Sequence, residues 1–270
     1  SFIDNTVFPH IQGDTQAHFI YQGNASEVLV AGDFNGWNGD TDAFTQVDET
    51  DLWYRTETFP ANARLDYKLV VDGNWILDPL HDHTISGGFG PNSELAMPDY
   101  VQPWEIEENP NIAHGTIETL NFESNVLNQT YQVKIYLPPS YSEVPSRSYP
   151  SLYVHDGTEY LTLGSAKQVL DNLIDAGSIS ELIGIFIRPN DRNQEYAGTQ
   201  RIQYQQFVAQ ELVSYIDANY RTIADRNQRG TLGTSFGGNI SGLLTHNHFE
   251  VFGKCGLHSP AFWPNNFQTA

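Results

Sequence analysis

The residues best suited to covalent chemistry lie in the run Gly233-Thr234-Ser235-Phe236-Gly237. An apolar segment that ends at Leu232 precedes this run, and a segment with helical character follows it. A G-x-S-x-G sequence between a strand and a helix is typical of a nucleophile elbow, whose turn presents the serine hydroxyl. The two glycines permit a tight turn, and the helix N-terminus favours negative charge that develops there. The sequence therefore predicts Ser235 as the nucleophile of an acyl-transfer reaction.

A serine nucleophile needs an adjacent base, and the sequence after Ser235 does not offer a clear one. His246 and His248 fall at the far end of the predicted helix, on the order of 16 Å from the serine at about 1.5 Å rise per residue. His258 falls near the end of the next predicted strand, and the single acid after the serine is Glu250. The sequence thus predicts a nucleophile without an evident base.

The composition limits the classes of function. The 270 residues carry a net charge of −20, which argues against nucleic acid or an anionic membrane as a partner. Cys255 is the single cysteine, so no disulfide, cysteine-ligated metal or cofactor is predicted. His81 and His83 have no third candidate metal ligand nearby in the sequence, so solvent exposure is favoured over metal binding. No leader segment or apolar span is recognised, and the location stays open, with a periplasmic or secreted one slightly favoured.

The chain changes character along its length. Residues 1–100 read as short strands separated by turns, with a hairpin at Asp72-Gly73, and predict a small immunoglobulin-like β-sandwich. Residues 101–114, rich in proline and glutamate, read as a linker. Residues 115–270 alternate strands with helical segments, including predicted helices over 163–176 and 204–220. This alternation predicts an α/β domain with a largely parallel sheet.

The second part resembles the Putative esterase family of α/β-hydrolases, which includes enterochelin, feruloyl and acetylxylan esterases and esterase D. The resemblance covers the chain from about residue 115 to its end. It implies a three-layer α/β/α domain and hydrolysis of carboxylic esters through an acyl-enzyme on Ser235, with sugar-linked, aromatic-acid or siderophore-type esters as substrates. It is carried by these segments: 135–141 (IYLPPSY), 149–157 (YPSLYVHDG), 192–196 (RNQEY), Phe207 with Glu211-Leu212, the elbow, and Phe252-Gly253 leading to 259–263 (SPAFW).

The resemblance also implies which backbone groups bind the oxyanion. One donor is the N–H of Phe236, the residue after the nucleophile. The second comes from the loop after the third strand, at Thr158 or Gly157, with Thr158 favoured.

Four further side chains near the predicted site are candidates for a role there. As a base, His258 would lack an acid to set its tautomer. Asp156, Arg192 and His258 are candidates for substrate binding. Alternatively, Asp156 shapes the oxyanion loop, and Arg192 fixes its own loop through a buried pair with Glu195. His155 is expected to be a strand-end residue with a local hydrogen bond rather than a member of a catalytic triad.

The first part resembles the glycogen-binding-like early-set domain, through 32–37 (GDFNGW), Tyr67-Lys68, Asp72-Gly73 and Asp78-Pro79. In carbohydrate-binding members of that family two Trp, a Lys and an Asn contact the sugar. The matching candidates are Trp37, Lys68, Trp75 and Asn92. The alternative is that both Trp side chains serve packing.

The chain departs from the esterase family at its C-terminus. The family places its catalytic acid and histidine beyond the Ser-Pro-x-Phe-Trp segment, so the hydrolase domain is expected to be C-terminally incomplete after the sixth strand region. The 270-residue chain alone is then expected to be inactive or weak, and to associate with a second copy or a C-terminal fragment through the strand around residues 251–257. The alternative function is a non-catalytic carbohydrate-binding or scaffold protein.

Overall fold

The computed structural model describes residues 6–264. The chain divides into two compact units, Ser1–Gln102 and Pro103–Ala270. No helix in the described part is long and apolar enough to cross a membrane.

The first unit is built from antiparallel strands in two sheets. One sheet has the order β1-β2-β5-β4, and the other has the order β3-β6-β9-β8 with β7 paired to β6. Aromatic and aliphatic side chains from both sheets form one core, as in face-to-face sheet packing. The strands are β1 His10–Gln12, β2 Gln16–Gln22, β3 Val28–Gly32, β4 Thr45–Gln46, β5 Leu52–Thr58, β6 Arg64–Val71, β7 Asn74–Ile76, β8 Thr84–Gly87 and β9 Gly90–Ala96.

The predicted hairpin at Asp72-Gly73 is confirmed, since β6 and β7 pair across it with Val71 opposite Asn74. Both turn residues have positive φ, 48° for Asp72 and 79° for Gly73, as a two-residue type I′ turn requires. The turn places Trp75 on the same face of the sheet as Lys68, opposite the core residues Tyr67 and Leu69.

The second unit contains a mixed sheet with the order β10-β11-β13-β12-β14-β15 in its described residues. β10 and β11 are antiparallel to their neighbours, whereas β13, β12, β14 and β15 run parallel. The elements in chain order are β10 Thr116–Ser124, β11 Gln129–Leu137, β12 Ser151–His155, α1 Gly157–Thr162, α2 Ala166–Asp175, β13 Ile183–Ile187, α3 Arg192–Tyr196, α4 Arg201–Gln206, a π-helical stretch Phe207–Leu212, α5 Val213–Asn219, β14 Arg229–Ser235, α6 Phe236–Asn247 and β15 Lys254–Pro260.

Apolar side chains cover both faces of this sheet, because alternate residues of each strand point to opposite faces. On β11, Val133 and Ile135 belong to the core that contains residues of α5 and α6. Tyr136 belongs to a separate core with Leu170 of α2 and Phe186 of β13. The sheet therefore lies between two helical layers, and the buried strand β13 shows the unbroken apolar sequence that two-sided burial requires.

The segment predicted as a linker, residues 101–114, differs from that prediction. The boundary between the units falls after Gln102, and the following residues belong to the second unit. The side-chain amide of Asn172 on α2 donates to the carbonyl oxygens of Trp104, Glu105 and Glu107, at 3.1, 2.9 and 2.8 Å. These bonds hold the segment against α2, which a proline- and glutamate-rich composition does not indicate.

Candidate active site

Ser235 lies at the end of β14, directly before α6, with φ 53° and ψ −118°. These angles lie outside the regions that a residue with a Cβ normally occupies, and such a conformation costs about 1–3 kcal/mol. The side chain is exposed, and its hydroxyl has no hydrogen-bond partner among residues 6–264. The local geometry is that of a strained strand-to-helix turn with an accessible serine.

The glycines on either side of Ser235, Gly233 and Gly237, are required because other atoms approach them too closely to leave room for a Cβ. A Cβ on Gly233 would overlap the backbone of Gly237, the other glycine of the motif. A Cβ on Gly237 would lie 2.8 Å from Oδ2 of Asp156. The turn therefore closes so tightly that β14 and the first turn of α6 touch, and Asp156 fills the remaining space.

The strand β15 and the residue that follows it, Ala261, hold the turn from the other side. The backbone N–H of Ala261 donates to the carbonyl oxygen of Ser235 at 3.0 Å. The hydroxyl of Thr234 donates to the carbonyl oxygen of His258, also at 3.0 Å. Hydrogen bonds to His258 and Ala261 thus fix both Ser235 and the residue before it.

The predicted oxyanion loop lies at the same edge of the sheet as Ser235. β12 and β14 are parallel neighbours, and Val154 is paired with Leu232. Gly157 lies three residues after Val154, and Ser235 lies three residues after Leu232. Neighbouring strands of a sheet are about 4.8 Å apart. Gly157 begins α1, whose first N–H groups have no partner within the helix. A Cβ on Gly157 would lie 2.5 Å from the backbone nitrogen of Ile187, so glycine is needed there.

Asp156 and Arg192, both candidate substrate-binding residues, form a bidentate ion pair. Arg192 Nε donates to Oδ1 and Nη2 to Oδ2, each at 2.8 Å. The hydrogen bonds to Asp156 raise the pKa of the Arg192 guanidinium, against the effect of burial. The predicted pair of Arg192 with Glu195 is wrong. Glu195 accepts instead from Tyr131 OH at 2.7 Å and from the backbone N–H groups at the start of α3, and burial raises the pKa of its carboxyl.

His155 ends β12 and is fully buried. Its Nδ1 is hydrogen-bonded to Tyr204 OH at 3.0 Å. The predicted position at the end of a strand is confirmed, but the hydrogen bond is not local, since Tyr204 lies 49 residues away in the sequence. Burial lowers the pKa of the imidazole to about 3, so the ring is neutral at physiological pH. A ring enclosed in this way cannot reach an exposed serine hydroxyl.

His258 lies on β15, level with Thr234 of the adjacent strand. Its Nδ1 is hydrogen-bonded to Tyr160 OH on α1 at 2.8 Å. Burial, with a further contribution from the charge of Asp156, raises the pKa of Tyr160 to about 12. Tyr160 and His258 therefore connect α1 to the strand beyond the serine. Sequence reasoning missed Tyr160, because no motif links it to His258 across 98 residues.

Aromatic side chains flank the serine on the side of α6. The ring of Phe236 packs against Trp263, with centroids 5.3 Å apart, and Arg192 Cζ lies 5.5 Å from the Phe236 centroid. Trp263 is 61% exposed. An exposed aromatic surface and a guanidinium thus lie beside the nucleophile candidate.

A recess of about 310 Å³ borders the predicted oxyanion donor Thr158. Its lining combines apolar side chains with hydroxyl, amide and ammonium groups: Ile117, Gln132, Lys134, Leu161, Thr162, Lys167 and Gln168. Within the described ranges no three His, Cys, Asp or Glu side chains are grouped closely enough to hold a metal ion.

The four sugar-binding candidates lie in the first unit. Trp37 and Trp75 are stacked with ring centroids 6.5 Å apart and an interplanar angle of 22°, and Trp75 is 46% exposed. Lys68 shares a sheet face with Trp75, and the register of β6 and β9 places Asn92 next to Lys68. The amide of Asn92 donates to Asp66 Oδ2 at 3.1 Å. The four residues therefore share one outer surface of the unit.

Comparisons with known proteins point to one family. The sequence model described as "Putative esterase" matches residues 124–270. An endo-1,4-beta-xylanase/feruloyl esterase of Xylanibacter ruminicola is 27% identical over 265 residues, covering 93% of this chain and 36% of that protein. The uncharacterized protein YjcH of Bacillus subtilis is 29% identical over 152 residues, covering 54% of this chain and 62% of that protein. The chain thus spans less than two thirds of the length of these curated relatives.

Solved structures share the fold. The enterobactin esterase FES of Shigella flexneri superposes with a TM-score of 0.72 at 19% identity, covering 95% of this chain and 74% of that chain. A ferulic acid esterase of Anaeromyces mucronatus superposes with a TM-score of 0.52 at 18% identity, covering 59% and 64%.

Proposed function

The chain belongs to the Putative esterase family, and from this premise we propose that it is a serine carboxylic-ester hydrolase with Ser235 as its nucleophile. The observation that carries the proposal is the backbone of Ser235, which is strained and exposed between β14 and α6. Backbone strain of this kind persists where the surrounding structure imposes it, and it is concentrated at functional sites.

In the proposed reaction Ser235 Oγ attacks the ester carbonyl carbon, and a base takes the hydroxyl proton. The carbonyl oxygen becomes an oxyanion that accepts from the N–H of Phe236 and from the N–H of Thr158 or Gly157. Collapse of this intermediate expels the alcohol, which leaves with a proton, and gives the acyl-enzyme. Water then attacks the acyl carbon and releases the acid. The shared edge of β12 and β14 supports this pairing of donors.

Neither His155 nor His258 is assigned as the base. His155 is enclosed and bonded to Tyr204, and the Nδ1 of His258 is bonded to Tyr160. A base must lie within hydrogen-bond reach of the serine, and Ser235 Oγ has no such partner in residues 6–264. The groups assigned to the reaction are therefore Ser235 and the oxyanion donors.

We infer that the substrate is an ester of an aromatic acid. The relative from Xylanibacter ruminicola carries feruloyl esterase in its name. The exposed Trp263 against Phe236, beside Ser235, supports this inference, since aromatic rings bind aromatic rings in offset or edge-to-face contact. Sugar-linked and siderophore-type esters of aromatic acids both belong to this class.

The test uses the natural full-length protein with methyl ferulate and p-nitrophenyl acetate as substrates, and a fluorophosphonate as a covalent probe. Ser235→Ala should abolish labelling and lower kcat by at least about 1000-fold, because the nucleophile is lost. Ser214→Ala, an exposed serine on α5, should keep both. Labelling that persists in Ser235→Ala would refute the assignment of the nucleophile.

A second candidate function is carbohydrate binding by the first unit. The stacked pair Trp37 and Trp75, with Lys68 and Asn92 on the same surface, supports it, because Trp faces stack on the apolar faces of sugars. This function can accompany ester hydrolysis or occur without it.

A further inference from the structure

On the basis of the serine-hydrolase function above, we propose that Asp156 and Arg192 are positioning residues rather than substrate ligands. Their ion pair fixes the two segments that supply the oxyanion donors and neutralises a carboxylate beside the site. Arg192 acts on the reaction through Asp156 and through the turn at Ser235.

The first half of the pair controls the oxyanion loop. Asp156 directly precedes Gly157 and Thr158 and has φ 55°, in the left-handed region. Its carboxylate does not cap its own helix α1, and both oxygens bind Arg192 instead. Bidentate pairs of this kind fix orientation as well as distance. The conformation of the residue before the predicted donors therefore depends on Arg192.

The same pair contacts the residues on both sides of the nucleophile. Arg192 Nη2 lies 3.4 Å from the carbonyl oxygen of Thr234, and its Cζ lies over the ring of Phe236. Asp156 Oδ2 lies so close to Gly237 that a Cβ there would be 2.8 Å away. One ion pair thus bridges the loop after β12 and the turn after β14.

The helix α3 that carries Arg192 is itself held in place. Tyr196, one turn after Arg192, accepts a hydrogen bond from the backbone N–H of Asp156 at 3.0 Å. Asn239 of α6 donates to the carbonyl oxygen of Tyr196 at 3.1 Å. Tyr131 anchors Glu195 of the same helix at 2.7 Å. The helix α3 therefore binds both the side chain and the backbone N–H of Asp156. Its own position is fixed by contacts with β11 and α6.

The pair also removes a conflict of charge. The Asp156 side chain is 6% exposed, and an ionised carboxylate against the first turn of α6 would oppose negative charge on a substrate oxygen nearby. Arg192 binds both carboxylate oxygens, so its positive charge compensates that repulsion. Removing Arg192 alone would leave a buried carboxylate without a partner, whereas removing both charges would not.

The ion pair is tested by comparing the loss of one charge with the loss of both. The fluorophosphonate labelling rate and the kcat and KM for methyl ferulate are measured for the natural full-length protein and for four variants. Arg192→Met should lower the labelling rate and kcat by about 100-fold while KM changes less than threefold. Asp156→Asn should lower kcat by about tenfold. The double variant should recover at least tenfold over Arg192→Met. Arg188→Met, which removes an exposed arginine at the end of β13, should behave as the wild type.

Substrate contact by Arg192 gives the opposite pattern and would overturn the proposal. In that case KM rises, labelling by the small probe is unchanged, and Asp156→Asn brings no recovery in the double variant. The folded fraction of each variant, from circular dichroism, normalises the rates. Failure of the nucleophile assignment is recognised separately, because Ser235→Ala would then keep its label.

Discussion

The strained backbone at Ser235 predicts an unusual result from a pair of substitutions. Ser235→Ala keeps a Cβ and therefore keeps the strain, whereas Ser235→Gly removes it. The strain amounts to about 1–3 kcal/mol, and the greater freedom of glycine in the unfolded chain offsets about 0.5–1 kcal/mol of that. We expect the free energy of unfolding to be higher for Ser235→Gly than for Ser235→Ala, by about 1 kcal/mol.

Ser241 on α6, the helix that follows Ser235, provides the matched control. It lies in the interior of α6, and its hydroxyl donates to the carbonyl oxygen of Gly237 at 2.8 Å, a bond that both Ala and Gly remove. In a helix interior glycine is about 1 kcal/mol less favourable than alanine. The difference between Gly and Ala should therefore have opposite signs at positions 235 and 241.

Differential scanning calorimetry measures both pairs. At about 2–4 °C per kcal/mol for a unit of this size, the two Gly-minus-Ala differences in Tm should be separated by about 4–8 °C. All four variants bind no substrate during the scan, so activity does not enter the comparison. A Ser235→Gly variant that melts below Ser235→Ala, as Ser241→Gly is expected to melt below Ser241→Ala, would refute the argument from strain.

Further predictions address other parts of the chain. Gly233→Ala should lower stability by about 2–3 kcal/mol, because the new Cβ overlaps the backbone of Gly237, and should lower kcat by about 100-fold. In the control Gly242→Ala the new Cβ would lie 3.7 Å from its nearest neighbouring atom, so stability should be unchanged or higher. His258→Gln should keep kcat/KM within about tenfold, since loss of a triad histidine costs far more. Because the pKa of buried His155 is lowered to about 3, this residue should contribute a fall in wild-type stability of about 1.4 kcal/mol per unit as pH drops below 6.5. His155→Gln should remove that contribution from the pH dependence measured in urea titrations. If sugars bind the first unit, maltooligosaccharide or xylooligosaccharide should change Trp fluorescence and Trp75→Ala should abolish the change; no response at millimolar sugar would favour packing.

The turn at Ser235 could be predicted from the sequence because its requirements are local. A glycine two residues before and two residues after the serine, between an apolar strand and a helix, leaves few other conformations for the backbone. The hairpin at Asp72-Gly73 is predictable for the same reason. The alternation of strands and helices likewise indicates helical layers around the sheet of the second unit.

The pairing of charged side chains could not be predicted in this way. Arg192 and Glu195 are three residues apart on one helix, which makes a local pair plausible. In the structure Arg192 binds Asp156, 36 residues away, and Glu195 accepts a hydrogen bond from Tyr131. Which carboxylate Arg192 binds depends on how far the end of β12 lies from α3, and a single sequence does not specify that distance.

Gly237 shows how a local motif and a distant contact can depend on each other. The glycine is usually explained by the turn alone, yet here the atom nearest to its missing Cβ is a carboxylate oxygen of Asp156. That oxygen is held by Arg192, whose helix is fixed by Tyr196 and Asn239. A side chain at Gly237 would displace the carboxylate, and a displaced carboxylate would release the turn before α1. The second glycine of the motif is therefore a condition for the ion pair as well as for the turn, and this links the local sequence around Ser235 to the geometry of the whole candidate site.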